Sequence, residues 1–389
     1  MPPTQPPLST ILPPLICGTA TFNNLYNADA ALVPTNAIVE RALDLGVRAF
    51  DTSPYYGPSE ELLGKALSTP SVLRKHPRSS YRIVTKVGRI ANAEFDYSPE
   101  WVRYSIQRSL QRLHTSYLDV VYCHDVEFVT PAEVLVAVKE LRRIRDEEGT
   151  IKYIGISGYP VPLLCELAEL VVRETGEPLD AVMSYANFTL QNTTLMTLGM
   201  ERLKRAGVSC LPNASILGMG LLRSVGVPVG GKGDFHPAPR ELREKCMEAA
   251  RYAESTGERL EVVSIRWGLD TWSREGAGLG GIGGIGVSVM GVSNLEELEE
   301  TMRVWNSVLD GLPLAGREVT KEKKEWSLAR AEVVAEKAKA IWKVLGGWKD
   351  YTWASPDEGY VNVRIVKGVV DELAPLPLVK DRLAKDSRL

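Results

Sequence analysis

The stretch R-A-F-D-T-S-P-Y-Y-G-P-S-E-E-L-L-G, residues 48–64, joins a short strand, a tight turn and the start of a helix. The apolar residues before Asp51 predict a buried strand, and the proline and glycine after it predict the turn. Ser59 followed by two glutamates is typical of a helix N-terminus. The stretch therefore predicts one strand-then-helix unit that carries a carboxylate, Asp51, and a phenol, Tyr56, at its turn. Such a pair, taken alone, is more often turn chemistry than a functional site.

The same strand-then-helix pattern recurs along the chain. The fourth predicted strand, Leu118–Cys123, is an apolar run rather than an alternating one, which is typical of a strand covered on both faces. Eight such units without a second type of composition favour an α/β fold, a (β/α)8 TIM barrel, over a doubly wound sheet. The predicted strands are Leu15–Gly18, Ala49–Asp51, Arg82–Lys86, Leu118–Cys123, Tyr153–Ser157, Ala181–Tyr185, Val208–Leu211 and Val287–Met290.

The barrel units do not account for the two ends of the chain. Residues 1–14 form a proline-rich N-terminal arm, and the barrel is expected over residues 15–309. Residues 310–389 predict a long charged helix and a tail rich in tryptophan and tyrosine, which we expect to pack on the barrel. Gly276–Gly286 contains a formal G-x-G-x-x-G, but it follows a polar loop and precedes a strand. It therefore predicts a flexible surface loop rather than a Rossmann fingerprint.

Composition restricts the possible partners. The chain has 389 residues, 44% of them hydrophobic and 24% charged, with a net charge of −3 and both signs interspersed. This is typical of a globular protein without a basic face for nucleic acid or an anionic membrane. Five scattered cysteines indicate reduced thiols and a cytoplasmic location, although Ser387–Leu389 resembles the peroxisomal S-K-L address. We expect a monomer or small homo-oligomer that acts on a small molecule.

Three successive predicted strands end on ionisable side chains, namely Asp51, Lys86 and His124. Carboxyl ends of barrel strands meet at one face, where active sites lie, so these groups and Tyr56 are expected to converge. A phenol has a pKa near 10, and a nearby ammonium such as Lys86 favours phenolate. Asp51 can orient Lys86, and His124 can hydrogen-bond a substrate oxygen. The set predicts a tyrosine acid/base without a metal, because the remaining histidines lack metal-ligand spacing. Lys86 or His124 alone is more often a solvated or capped strand end.

In these residues and their surroundings the sequence resembles the aldo-keto reductase family. The resemblance rests on five motifs: D-T-S-P-Y-Y-G-P-S-E-E-L-L-G (51–64), T-K (85–86), Y-C-H-D (122–125), I-G-I-S-G (154–158) and V-M-G-V-S-N-L-E-E-L (289–298). It implies a barrel that binds a nicotinamide cofactor across its mouth without a Rossmann domain. It also implies that hydride passes between C4 of the cofactor and a carbonyl carbon while Tyr56 transfers the proton.

The resemblance also implies a set of cofactor contacts, with three departures from the family pattern. Ser184 stands where many members have glutamine. Gly158 replaces an asparagine that accompanies the serine under the nicotinamide carboxamide. Ala214 stands where an aromatic ring commonly stacks on the nicotinamide. The implied cofactor contacts are Gly18, Thr19, Ser157, Ser184, Ser215, Leu217, Met219, Gly291, Val292, Ser293 and Glu297.

The segment after the last strand favours NAD over NADP. NADP-preferring members usually place a base there to hold the 2′-phosphate, whereas this chain offers four carboxylates and no base. Glu297 lies near the usual arginine position, although these glutamates can equally be a solvated helix face. Within the family, the chain resembles most the NAD-dependent dehydrogenases that oxidise C1 of D-arabinose or L-galactose to the aldonolactone.

Two other functions stay open, an NADPH-dependent aldehyde or ketone reductase and a non-catalytic cofactor-sensing subunit. The intact set of four ionisable residues speaks against the second.

Loops and tail are expected to close the barrel mouth with polar and aromatic side chains, although these residues can equally serve only to pack the loops. The candidate pocket residues are Asn23, Tyr26, Phe95, Trp101 and Trp353.

Overall fold

Eight parallel strands close into a barrel in the computed structural model, which describes residues 5–23, 29–227, 233, 236–365, 367 and 368. The predicted (β/α)8 barrel is confirmed, and its strands follow one another in chain order around the barrel. Tyr26 and Ser387–Leu389 lie outside the described residues. A separate hairpin, β4 Arg89–Ala91 and β5 Glu94–Phe95, follows the third strand. The barrel strands are β1 Leu15–Gly18, β2 Ala49–Asp51, β3 Arg82–Val87, β6 Leu118–His124, β7 Ile151–Gly158, β8 Ala181–Tyr185, β9 Asn213–Ala214 and β10 Ser288–Gly291.

Side-chain caps stand at the start of α4 (Pro99–Arg112), α5 (Pro131–Arg143), α10 (Leu295–Asp310) and α11 (Lys321–Leu345). Thr130 and Glu133 form a reciprocal capping box at the start of α5, and Asn294 accepts a hydrogen bond from the backbone N–H of Glu297 at the start of α10. Proline occupies the first turn of α4 and α5, where its missing N–H costs nothing. The helices are α1 Thr35–Asp44, α2 Ser59–Leu67, α3 Pro70–Lys75, α4 Pro99–Arg112, α5 Pro131–Arg143, α6 Val161–Thr175, α7 Met200–Arg205, α8 Arg240–Ser255, α9 Leu260–Glu275, α10 Leu295–Asp310 and α11 Lys321–Leu345.

The seventh barrel strand lies later in the chain than predicted. The sequence favoured Val208–Leu211, but the strand is β9, and Cys210 contributes only a single bridge to Ala181. The Leu211 N–H donates to Leu279 O at 2.8 Å, away from the neighbouring strands. Pro212 has no N–H to give to the ladder, so regular pairing with β8 starts one residue beyond it.

The foot of the barrel, at the amino ends of its strands, is closed by the N-terminal arm. Leu8 and Leu12 are fully buried and join the apolar side chains of the barrel interior. The glycine run packs against this arm: the Ile282 N–H donates to Leu12 O at 2.9 Å, and a Cβ on Gly281 would lie 2.2 Å from the same oxygen. The run is therefore closely packed at Gly280 and Gly281, whereas residues 282–284 are exposed, so the predicted surface loop describes only part of it.

The C-terminal part of the chain packs on the barrel in two pieces. Helix α11 lies against α8 and α9, where Arg330 binds Glu258 through two hydrogen bonds of 2.5 and 2.7 Å. We call residues 349–365, 367 and 368 the tail. It starts at the loop after β8, where Asp350 accepts hydrogen bonds from Thr193, and ends beside the β4–β5 hairpin. The tail therefore crosses the rim formed by the carboxyl ends of the strands.

All five cysteines are free and buried. Among the helices of the described residues, none is both long enough and apolar enough to cross a membrane.

Candidate active site

The predicted ionisable residues converge at the rim of the barrel. Asp51 ends β2, Lys86 is the next-to-last residue of β3 and His124 ends β6. The Lys86 ammonium donates hydrogen bonds to Asp51 Oδ1 at 2.7 Å and to Thr52 O at 2.9 Å. Lys86 is only 1% exposed, so this ion pair is withdrawn from solvent.

Tyr56 lies in the turn after β2 and faces both other groups. Lys86 Nζ is 4.9 Å from the centroid of the Tyr56 ring. The imidazole of His124 is 5.7 Å from the same ring, centroid to centroid, and nearly perpendicular to it at 87°. The fold therefore brings a phenol, an ammonium, a carboxylate and an imidazole from three strands into one cluster.

Burial dominates the electrostatics of this cluster. It raises the pKa of Asp51, and the Lys86 ammonium opposes that rise. Burial lowers the pKa of His124 to about 3; Asp125 opposes the fall, and Lys86 and Arg89 add to it. The His124 ring is therefore neutral at ordinary pH and can donate a hydrogen bond from one ring nitrogen only.

Residues that sequence reasoning missed surround His124. Its Nδ1 lies 3.0 Å from Ser53 Oγ, and its Nε2 lies 3.6 Å from Asp125 Oδ2. Arg89 forms an ion pair with Asp125 and places its guanidinium 3.8 Å from the centroid of the Tyr55 ring. The sequence offered one indication of these residues, because each lies within three positions of a member of the predicted set.

A buried carboxyl explains why residue 158 is glycine. Glu127 Oε1 accepts hydrogen bonds from the Tyr159 N–H and from Ser355 Oγ, both at 3.0 Å. Glu127 Oε2 is buried and has no hydrogen-bond partner within the described part of the chain, and a Cβ on Gly158 would lie 2.4 Å from it. Burial, followed by the nearby Asp125 carboxylate, raises the pKa of Glu127 to about 8. A neutral carboxyl thus occupies the space into which a larger residue at position 158 would project.

The residues proposed for cofactor contacts also lie at the rim. Most come from the ends of β1, β7, β8 and β10, or directly after them, and from the loop after β9, whereas Glu297 lies in the first turn of α10. In that loop Ser215, Gly218, Met219 and Gly220 have φ values of 58°, 56°, 55° and 100°. Strained non-glycine residues such as Ser215 and Met219 often mark functional sites. The N–H groups of Gly218 and Gly220 donate to Ser215 O and Leu217 O, so these hydrogen bonds within the loop fix its conformation at the rim.

Glu297 has a structural partner at the start of α10. Its Oε2 accepts a hydrogen bond from the Ser293 N–H at 2.8 Å. Its Oε1 lies 3.7 Å from Arg223, a base that the sequence analysis missed. The N-terminus of α10, a natural anion-binding position, thus already holds a carboxylate, with a cation beside it.

The candidate pocket residues divide into two groups. Phe95 stacks on Phe128 at 4.9 Å, next to Arg89, and Trp353 stacks on Tyr159 at 4.5 Å. Both therefore lie beside the cluster around His124 and Glu127.

The other members of that set are placed differently. Asn23 is buried after β1. Trp101 is buried on α4, where it contacts Tyr104, Arg108 and Arg364. These contacts place Trp101 in the packing beneath the tail rather than at the pocket wall. Across the described residues, no group of three or more His, Cys, Asp or Glu side chains is arranged to hold a metal ion.

Comparison with known proteins gives concordant results. The model of the Aldo/keto reductase family matches residues 14–311. The chain is 44% identical over 265 residues to D-arabinose 1-dehydrogenase of Saccharomyces cerevisiae, covering 68% of this chain and 77% of that protein. It is 36% identical over 236 residues to L-galactose dehydrogenase of Arabidopsis thaliana, covering 60% and 69%.

A solved structure agrees with the fold. The glycerol dehydrogenase of Gluconobacter oxydans aligns with a TM-score of 0.58 at 19% identity, covering 90% of this chain and 97% of that one. At that identity the match speaks to the shared barrel alone.

Proposed function

This chain belongs to the aldo/keto reductase family, and we propose that it oxidises C1 of an aldose of the D-arabinose or L-galactose type to the aldonolactone, with NAD as the hydride acceptor. It is an oxidoreductase that acts on CH–OH or carbonyl groups and uses a nicotinamide cofactor. The sugar, the choice of NAD and the roles of individual residues are the proposal.

The observation that carries the proposal is the buried Lys86–Asp51 pair beside the Tyr56 ring. A cation next to a phenol favours the phenolate, which can accept the proton of the C1 hydroxyl. Asp51 holds the ammonium in place through its 2.7 Å hydrogen bond. His124, neutral and next to Tyr56, donates a hydrogen bond to the same substrate oxygen as its negative charge develops. The bound nicotinamide supplies the hydride acceptor.

The sugar is suggested by the relatives. Two of the most similar proteins carry D-arabinose and L-galactose in their names, at 44% and 36% identity. The rim also offers the polar groups that hydroxyls require, since Arg89, Asp125 and Tyr55 form a connected set beside His124. Carboxylate and guanidinium groups bind hydroxyls by charge-assisted hydrogen bonds. An aldose is therefore a better fit than an apolar aldehyde.

NAD is supported by the carboxylate at the start of α10. Glu297 already caps this helix, and a 2′-phosphate in the same region would meet its negative charge. Arg223 is the observation that favours the second candidate, an NADPH-dependent aldehyde or ketone reductase, because it is a cation 3.7 Å from Glu297. Its ion pair with Glu297 leaves it less available to a phosphate.

A reducing compartment such as the cytoplasm is our proposal for the location. All five cysteines are buried and unpaired, as expected where thiols stay reduced.

A substrate panel with both nucleotides tests the proposal. D-Arabinose and L-galactose are offered with NAD or NADP, and aromatic aldehydes with NADH or NADPH, while the absorbance of the reduced nicotinamide is followed. We expect the highest kcat/KM for an aldose with NAD. A higher kcat/KM for an aldehyde with NADPH would replace this proposal with the reductase.

A further inference from the structure

The two ring nitrogens of His124 lie in different surroundings. Nδ1 is 3.0 Å from Ser53 Oγ, and Nε2 is 3.6 Å from Asp125 Oδ2. In a neutral imidazole one nitrogen is a donor and the other an acceptor, and its neighbours decide which. Because Nδ1 is engaged by Ser53, Nε2 is the nitrogen left for a substrate. The protonation of Nε2 therefore decides whether His124 can donate to that substrate.

Ser53 is arranged as the donor to Nδ1. Its side chain is fully buried at the turn between β2 and α2, next to Asp51 in sequence. Its oxygen accepts a hydrogen bond from the Tyr55 N–H at 3.1 Å. With that backbone donor already in place, the hydroxyl hydrogen is free to point at Nδ1, the acceptor within reach. A hydrogen bond donated to Nδ1 leaves the ring proton on Nε2.

The other side of the ring favours the same tautomer. A carboxylate near Nε2 attracts a proton to that nitrogen, and Asp125 supplies it. The ring is not driven to the imidazolium, because Arg89 neutralises this carboxylate and Lys86 adds a second nearby cation. The remaining titratable neighbours, the phenols of Tyr55 and Tyr56, face the ring at 5.8 and 5.7 Å between centroids. Both sides of His124 therefore select one neutral form.

We propose that Ser53 is a positioning residue that holds His124 in the Nε2–H tautomer, so that the ring donates a hydrogen bond to the substrate oxygen. The inference rests on the proposed function for the identity of that oxygen, but the tautomer itself does not depend on it. His124 moves no proton in this scheme. With the proton on Nδ1 instead, the ring would present a lone pair to an oxygen that becomes negative, which opposes the reaction.

The test replaces Ser53 with alanine, which removes the hydroxyl and little volume. In the full chain with labelled histidine, nitrogen chemical shifts identify which ring nitrogen carries the proton. The chain has four histidines, so the His124 signals are assigned by their loss in His124→Asn. We expect wild-type His124 to be protonated on Nε2 and the Ser53→Ala variant to show a mixture of tautomers. Because no substrate is present, failure of the proposed sugar chemistry leaves this result readable.

Turnover gives the second readout. Ser53→Ala is expected to lower kcat about tenfold, the value of one hydrogen bond, with little change in KM or in the dissociation constant for NAD. Ser53→Thr keeps the hydroxyl and is expected to restore most of the turnover. The matched control is Ser264→Ala, another fully buried serine, whose hydroxyl has no hydrogen-bond partner among the described residues.

Two results would overturn the proposal. One is wild-type His124 protonated on Nδ1. The other is a Ser53→Ala variant that keeps a single Nε2–H tautomer and turns over within twofold of the wild type.

Discussion

Buried side chains lie at both ends of the barrel, but they are apolar at the foot and ionisable at the rim. At the foot, Leu8 and Leu12 are fully buried against apolar side chains of the barrel interior. At the rim, Asp51, Lys86 and Glu127 are buried to nearly the same extent, yet each carries an ionisable group. Burial alone therefore does not separate the part of the molecule that stabilises the fold from the part that performs chemistry. The kind of atom that is buried does.

Burial has different energetic consequences at the two ends. Burying a leucine side chain contributes about 1.5–3 kcal/mol to folding, so the foot stabilises the barrel. A buried ion pair contributes little net stability, and removing one partner costs about 3–5 kcal/mol because a charge is left unpaired. The apolar foot therefore supplies stability to the fold that the buried ion pair at the rim does not supply. Substitutions at the rim should change activity first, and substitutions at the foot should change stability first.

The largest effect is expected for Tyr56→Phe at the rim. Loss of the acid/base hydroxyl should lower kcat about 10³-fold, or about 4 kcal/mol. The dissociation constant for NAD, measured by fluorescence titration, should stay within about twofold of the wild type, because the hydroxyl acts in the transition state.

The neighbouring tyrosine provides a matched control. The Tyr55 ring lies 5.8 Å from His124, as close as the Tyr56 ring at 5.7 Å, but its hydroxyl accepts a hydrogen bond from Arg89. Tyr55→Phe should therefore lower kcat far less than Tyr56→Phe. Equal losses in the two variants would contradict the assignment of Tyr56 as the acid/base.

At the foot, Leu12→Ala should act on stability alone. It removes a fully buried side chain, and we expect the free energy of unfolding to fall by about 3 kcal/mol in a denaturant titration. Turnover well below the unfolding transition should be unchanged. Leu32→Ala, at a position 79% exposed, is the control and should leave stability as it is. A drop in kcat in folded Leu12→Ala protein would show that the two ends are coupled.

The same contrast explains what the sequence could predict. The barrel follows from repeated apolar strands and helix starts, and the rim cluster follows from strands that end on Asp51, Lys86 and His124. These are properties of single segments. The seventh strand was misplaced, because Pro212 and the Leu211–Leu279 hydrogen bond shift the ladder beyond the apolar run.

Contacts across strands were not predictable in the same way. The Ser53–His124 and Arg89–Asp125 pairs join residues far apart in the chain, and they form only once the barrel has closed with its particular register. The glycine run looked like a loose loop, since nothing in its composition indicates that the arm packs on it. Sequence patterns thus identify which segments reach the rim, whereas closure decides which side chains meet there.

A smaller effect, on the pH dependence of stability, is expected from Glu127→Gln at the rim. The pKa of this carboxyl is about 8 in the folded protein, against 4.5 for an ordinary glutamate. The protonated form therefore stabilises the fold fully below about pH 4.5, and this contribution is lost as pH rises through 8. Glutamine stays neutral, so the stability of the variant relative to the wild type should rise by about 2 kcal/mol between pH 5 and pH 6.5, and should keep rising up to about pH 8.

Thermal unfolding of both proteins from pH 5 to pH 9 measures the difference in their stability. The control is Glu322→Gln, which removes an exposed carboxylate of α11 and should follow the wild type at every pH. A constant difference between Glu127→Gln and the wild type from pH 5 to pH 9 would mean that Glu127 is ionised throughout, and the rim would then hold one more buried charge than we infer.

The smallest effect is expected for cofactor choice at the outer edge of the rim, in Glu297→Lys. Here the removed carboxylate caps α10 and pairs with Arg223, so the variant replaces a negative group by a positive one and frees a second cation. We expect kcat/KM for NADP to rise about tenfold relative to NAD, equivalent to about 1.4 kcal/mol. Glu296→Lys makes the same charge change one residue away, on an exposed side chain of the same turn, and should shift the ratio much less because bulk solvent and salt screen it. Equal shifts in the two variants would trace nucleotide preference to the overall charge of this helix rather than to the carboxylate at position 297. The cofactor preference would then come from the whole segment rather than from one side chain.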